Sequence, residues 1–172
     1  NRPDDVLAQD KTVMEIRKLS RKNKFENISF KLYKGEILGI AGMLGAGRTE
    51  LLKSIFGADP YDSGEILVGE KKAPRSASPI SMKKLGLGLT PENRKEEGLI
   101  LIHSILDNLC YASMDKTSRG WLENRQKRNS AANKQVQELD IKITDIVSPV
   151  NSLSGGNQQK VVVGNWLNTQ PE

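Results

Sequence analysis

The chain has 172 residues, 37% of them hydrophobic and 27% charged, with a formal net charge of +5. That length suits one domain with a real core, and no stretch approaches the ~18 uncharged apolar residues of a membrane-spanning helix, which leaves any membrane role to a partner. A single cysteine, Cys110, excludes an internal disulfide; set in an apolar stretch, it reads as a small buried hydrophobe in keeping with a reducing cytoplasm.

Residues 1–10, NRPDDVLAQD, carry neither an initiator Met nor the apolar stretch of a secretory signal and read as a linker within a longer polypeptide. Residues 12–16 suit a first strand. Ile28, Phe30 and Leu32 alternate with Asn27, Ser29 and Lys31 as a half-buried second strand does. Lys34 and Gly35 turn the chain into EILGIAGMLGAGRTELLKSIF, residues 36–56. There Ile37, Leu38, Ile40 and Ala41 form an apolar run fit for a buried parallel strand, and Leu51, Leu52, Ile55 and Phe56 recur at helical spacing.

Between that strand and helix lies GMLGAGRT, residues 42–49. A phosphate chain needs several backbone N–H groups converging at the positive end of a helix dipole, and glycine lets the backbone approach it. Gly42, Gly45 and Gly47 stand where the G-x-x-x-x-G-K-[ST] pattern needs flexibility, with Leu44 and Ala46 between them and Glu50 following; Thr49 supplies a hydroxyl for Mg²⁺. Arg48 replaces the pattern's lysine. A wide planar fork does not reproduce a compact point charge, so binding should survive better than catalysis. The bland alternative is a Gly-rich turn that binds nothing.

Further along, Gly57 suits a helix C-cap, residues 65–68 another strand, and Gly69 a hairpin. A short helix is expected at 81–85, closed by Gly86, then a strand at 87–90 ending at Pro91. Residues 104–113 and 122–139 have helical patterns, with Leu106, Leu109 and Cys110 on one face of the first. Lys116, Arg119, Arg125, Lys127, Arg128 and Lys134 face only Glu123 in this region. Without interleaved aromatics or a nucleic-acid motif, they read as a solvated helix face rather than a nucleic-acid surface.

The last feature is LSGGNQQK, residues 153–160, opening a helix on which Val162, Val163, Trp166 and Leu167 share a face. Ser154 is placed to cap this helix, and its N–H groups could also receive phosphate.

A P-loop followed by LSGG at a helix start resembles the ATP-binding cassette ATPases. Three segments, GEILGIAGMLGAGRTELLKSIFGADPYDSGEI, TPENRKEEGL and LSGGNQQKVVVGNWL, look like the second of two fused cassettes in ATPase subunits of bacterial simple-sugar importers. The resemblance implies an α/β P-loop NTPase fold, C-terminally truncated: a linker at 1–10, a core with P-loop and antiparallel β subdomain at 11–105, a helical subdomain at 106–150, and the signature with its helix at 151–172. It implies ATP and Mg²⁺ as cofactors, held by Gly42, Leu44, Gly45, Ala46, Gly47, Arg48, Thr49 and Glu50. Leu153, Ser154, Gly155, Gly156 and Asn157 would then complete the site of the companion cassette fused in the same polypeptide. Asn157 stands where many cassettes have glutamine.

The family's Mg²⁺-sensing glutamine corresponds to Glu92, whose carboxylate repels phosphate unless a cation lies between them; the alternative is a solvated loop glutamate. The adenine-stacking aromatic has only Phe25 as a candidate, in a setting that reads as core. Arg48, Glu92 and the missing aromatic together imply a degenerate P-loop beside an intact signature. The family's aspartate, catalytic glutamate and switch histidine have no counterpart here, and His103 reads as incidental, so the chain alone is not expected to hydrolyse ATP efficiently. Transmembrane permease subunits and, indirectly, an extracellular sugar-binding protein are the implied partners, at the cytoplasmic face of a bacterial membrane. A non-hydrolytic, nucleotide-regulated half is the alternative; a P-loop kinase or GTPase lacks its N-K-x-D-like element or acceptor lid.

Overall fold

The computed structural model of the chain describes residues 9–119 and 122–171, so that only Gln9 and Asp10 of the linker read at 1–10 fall within it, in the first strand. The chain divides into two compact units, one up to Leu85 and one from Gly86.

The first unit is built on an antiparallel sheet. Strands β1 (Gln9–Arg21), β2 (Phe25–Lys34), β3 (Ser63–Val68) and β4 (Lys71–Lys72) lie in the order β2-β1-β3-β4. The β1–β2 turn closes on a hydrogen bond from Lys24 N–H to the Arg21 carbonyl, 3.0 Å, with Asn23 at φ 61, a conformation asparagine tolerates. Ile28, Phe30 and Leu32 are half-buried between exposed Asn27, Ser29 and Lys31, as their alternation predicts. Gly69, at φ 57, begins the two-residue β3–β4 turn. Helices α1 (Arg48–Ile55) and α2 (Pro79–Lys84) complete the unit, and Ile16, Leu19, Leu51, Ile55, Phe56, Ile66 and Met82 are among its buried side chains.

Two expected strands do not form. Residues 37–41 and 87–90 are irregular, and Ile37 is 81% exposed where its apolar run predicts burial. A parallel strand draws its hydrogen bonds and cover from its neighbours, and every pairing of the described sheets is antiparallel. Apolar composition without a partner does not make a strand.

The second unit is mainly helical. A π-turn (Arg94–Gly98) leads to α3 (Ile105–Cys110), a 3₁₀ turn (Tyr111–Ser113), α4 (Met114–Thr117), the short strands β5 (Ser118–Arg119) and β6 (Leu122–Glu123), α5 (Arg125–Glu138) and α6 (Gly155–Leu167). The helix expected from residue 122 starts instead at Arg125, because the Asn124 side chain accepts the Lys127 N–H at 3.0 Å and caps it there. Leu99, Ile105, Leu109, Ala132, Ile141, Val150, Val161 and Val162 pack into one core, together with Cys110. Burial raises the Cys110 thiol pKa, in line with the inert role read for it.

The basic run has an exposed face on α5, where Arg125, Lys127 and Lys134 stand in solvent. Arg128 is different: it pairs with Asp107 and, at 2.8 Å, with Glu123. Among the described residues no helix is long and apolar enough to cross a membrane.

Candidate functional site

Two segments hold the residues singled out, one in each unit. In the first, residues 42–47 wrap into the start of α1, with Gly45 at φ 81 and Gly47 at φ 78. Such values suit glycine and strain other L residues. Gly47 is also closed in by space: a Cβ there would lie 2.2 Å from the Lys24 carbonyl oxygen. Its own carbonyl accepts the Leu51 N–H at 2.8 Å, the first hydrogen bond of the helix. Around Gly45, by contrast, nothing lies within 4 Å of where a Cβ would stand. The loop is thus pinned at Gly47 and open at Gly45.

Leu44 is 99% exposed and Met43 85%, so the loop's side chains point away from the protein. Arg48 folds back: its Cδ lies 3.6 Å from the position a Cβ on Gly42 would take. Thr49 is half-buried in the first turn of α1. Glu50, in the same turn, accepts a hydrogen bond from Lys24 at 2.6 Å, and that bond holds its carboxyl below the ordinary carboxylate pKa. Lys24 therefore touches the loop twice, with its carbonyl against Gly47 and its ammonium on Glu50. The sequence pattern does not point to it, because nothing local in the β1–β2 turn connects it to a loop so far along the chain.

In the second unit, Ser154 occupies the N-cap position of α6 with extended backbone, φ −60 and ψ 157. Its hydroxyl does not cap the helix as expected. Instead Ser154 Oγ accepts from Asn157 Nδ2 at 3.2 Å, and Asn157 Oδ1 accepts the Lys142 N–H at 3.2 Å. Gly155 and Gly156 follow in the exposed first turn, and Leu153 is half-buried before it. The amides of that turn, with the helix dipole behind them, suit an anion. Glu92 is exposed, two residues ahead of Arg94. His103 meets the Tyr111 hydroxyl through Nδ1.

An antiparallel sheet beside a glycine loop that opens a helix, and a helical unit carrying LSGG, define an ATP-binding-cassette type of ATPase fold. The comparisons agree. A family model described as "ABC transporter" matches residues 25–172, and the chain belongs to that family. It is similar to a ribose import ATP-binding protein, RbsA, of Bacillus cereus, 41% identical over 160 residues that make up 93% of this chain and 32% of that protein. It also resembles the RbsA of Oceanobacillus iheyensis, 41% identical over 98% of this chain and 34% of the relative, and an uncharacterized ABC transporter ATP-binding protein, YphE, of Escherichia coli, 42% identical over 96% and 32%. The chain thus spans about a third of the length of these relatives, 32% to 34%.

Among solved structures, a nucleotide-free ATP-binding cassette from an ABC transporter superposes with TM-score 0.75 at 19% identity, over 93% of this chain and 66% of that one. A dimeric post-hydrolysis cassette bound to ADP and Pi superposes with TM-score 0.70 at 20% identity, over 92% and 70%. At such identities the likeness is one of fold.

Proposed function

We propose that this chain is the second nucleotide-binding cassette of a monosaccharide importer's ATPase subunit, coupling ATP binding and hydrolysis to sugar uptake. The observation that carries the reading is the pairing of an open left-handed glycine loop at the start of α1 with LSGG at the start of α6, in a chain 41% identical to a ribose import ATP-binding protein. Gly42, Leu44, Gly45, Ala46, Gly47, Arg48, Thr49 and Glu50 form the phosphate side of one site. Their N–H groups and the α1 dipole bind the anion; Arg48 and Lys24 add positive charge. Leu153, Ser154, Gly155, Gly156 and Asn157 serve the site of the companion cassette.

The glycine loop suits ATP with Mg²⁺: Gly45 leaves it open to approach, and the Thr49 hydroxyl would hold the cation, which would neutralise phosphate charge. Mg²⁺ of this kind is bound by one or two protein ligands together with substrate phosphates and water. Transmembrane permease subunits dock on the cassette from the membrane, an extracellular binding protein delivers the sugar, and the chain works peripherally at the cytoplasmic face. The 86–105 region passes closure of the cassettes to the permease.

The test is a titration with fluorescent ATP and Mg²⁺, competed by ADP and GDP. Binding should be adenine-selective, and Thr49→Ala should weaken it about tenfold, the equivalent of about 1.4 kcal/mol. Binding indifferent to Thr49 would overturn the loop's role. In the assembled transporter Ser154→Arg should abolish ATPase activity, and unchanged turnover would remove the signature from the mechanism.

A second reading is favoured by Arg48 and Glu92, both unlike the family pattern: nucleotide at this P-loop stabilises the closed pair of cassettes without being cleaved, while the signature serves hydrolysis in the other site. Arg48→Ala should then slow closure and transport, and unchanged closure and transport would count against it.

A further inference from the structure

We infer that Arg94 is a positioning residue for the signature segment, acting through the buried amide of Gln158. The inference rests on the reading of Ser154 and Gly155 as phosphate-facing groups and adds a residue that sets where they stand.

Arg94 opens the π-turn Arg94–Gly98, where the Asn93 side chain accepts the Lys95 N–H at 3.2 Å. Its guanidinium reaches the N-terminus of α6, where Nη2 would lie 2.7 Å from a Cβ on Gly155. A cation is electrostatically unfavourable beside the positive end of a helix. Its place there needs a compensating partner, and Gln158 supplies one, with Oε1 accepting from Arg94 Nε at 3.5 Å.

Gln158 is only 5% exposed, and its amide is used at both ends. Nε2 donates to the carbonyls of Leu153, 3.1 Å, and Val150, 3.4 Å, which hold the chain entering the signature. The donor-only guanidinium thus holds the oxygen end of the amide, while its nitrogen end holds the two carbonyls just ahead of Ser154. Removing Arg94 leaves a buried oxygen without this donor and loosens the amide that holds those carbonyls. The far end of the π-turn is anchored separately. A Cβ on Gly98 would stand 3.1 Å from Val162 Cγ2 on α6, and Leu99 lies in the core. Segment 94–98 therefore holds α6 at its start and on its flank.

The experiment combines amide hydrogen exchange on the full chain with steady-state ATPase of the assembled transporter, for Arg94→Ala, Arg94→Lys, Gln158→Leu and the Ala/Leu double variant. Arg94→Ala should speed exchange at Leu153 and Gln158 about tenfold with Val136 of α5 unchanged, and lower kcat about tenfold with KM for ATP unchanged, as expected of a small misplacement of reacting groups. Arg94→Lys should recover part of both effects, and the double variant should be no worse than Gln158→Leu alone. Unaltered exchange at Leu153 and Gln158 in Arg94→Ala, or faster exchange spread through α5, would overturn the positioning role. A wild-type transporter without ATPase activity would sink the proposed function instead, while the exchange data still decide the role of Arg94. Activity lost in Ser154→Arg but kept in Arg94→Ala, with exchange unaltered, would sink this inference alone.

Discussion

Gly47 combines two constraints, one of backbone conformation and one of space. Its φ of 78 disfavours a side chain, and the Lys24 carbonyl occupies the place a Cβ would take. The first alone costs about 1–3 kcal/mol, and the clash forces the β1–β2 turn or the α1 start to move as well. Gly47→Ala should therefore lower the stability measured by urea unfolding by at least that much and weaken nucleotide binding with it. A variant of wild-type stability would show that the loop is not pinned as described. The same glycine is legible from the motif as a flexible position. That it also receives the Lys24 carbonyl is not, because the contact joins segments more than twenty residues apart in the chain.

At the scale of elements, α3 shows how local signals set a boundary. Ser104 Oγ accepts the Asp107 N–H at 3.0 Å, and Asp107 accepts from the Ser104 N–H and hydroxyl. Burial pushes the Asp107 carboxyl up, but hydrogen bonds from Ser104 and Arg128, with the Arg128 charge, outweigh it and leave the pKa below the ordinary value. A carboxyl depressed in the folded state contributes stability that is complete above its unfolded pKa of about 4 and is lost as pH falls through the folded value. Asp107→Asn should thus lower the melting temperature at pH 7 and flatten its fall on acidification below about pH 4; an unchanged acid limb would refute the assignment. The sequence predicts a helix from 104, and its cap lies at Ser104, because a capping box is written within four residues. The strands expected at 37–41 and 87–90 fail for the opposite reason: their stability depends on partners that the local run does not contain.

For the molecule as a whole, the consequence is exposed apolar chain. Ile37 is 81% exposed, and Leu38 and Ile40 are each 38% exposed. Such stretches mark interaction surfaces or association hazards. The chain by itself should self-associate through this run, and Ile37→Asp with Ile40→Asp should reduce light scattering at equal concentration; undiminished scattering would place the sticky surface elsewhere. In the transporter proposed here, the same substitutions should impair folding instead.

Class and motif were readable because they are local and ordered. A glycine loop between an apolar run and an amphipathic helix, followed downstream by LSGG, depends on spacing along the chain, and spacing survives without knowledge of the fold. The turns read at Gly69 and Gly86 belong to the same kind. Which residues support the motifs could not be read that way. Lys24 against Gly47, Asn157 on Ser154 and Lys142, and Arg94 through Gln158 onto Leu153 are encounters between segments. Hydrogen bonds and steric contact act over a few ångströms of space, and folding, not the order of residues, decides which groups come that close.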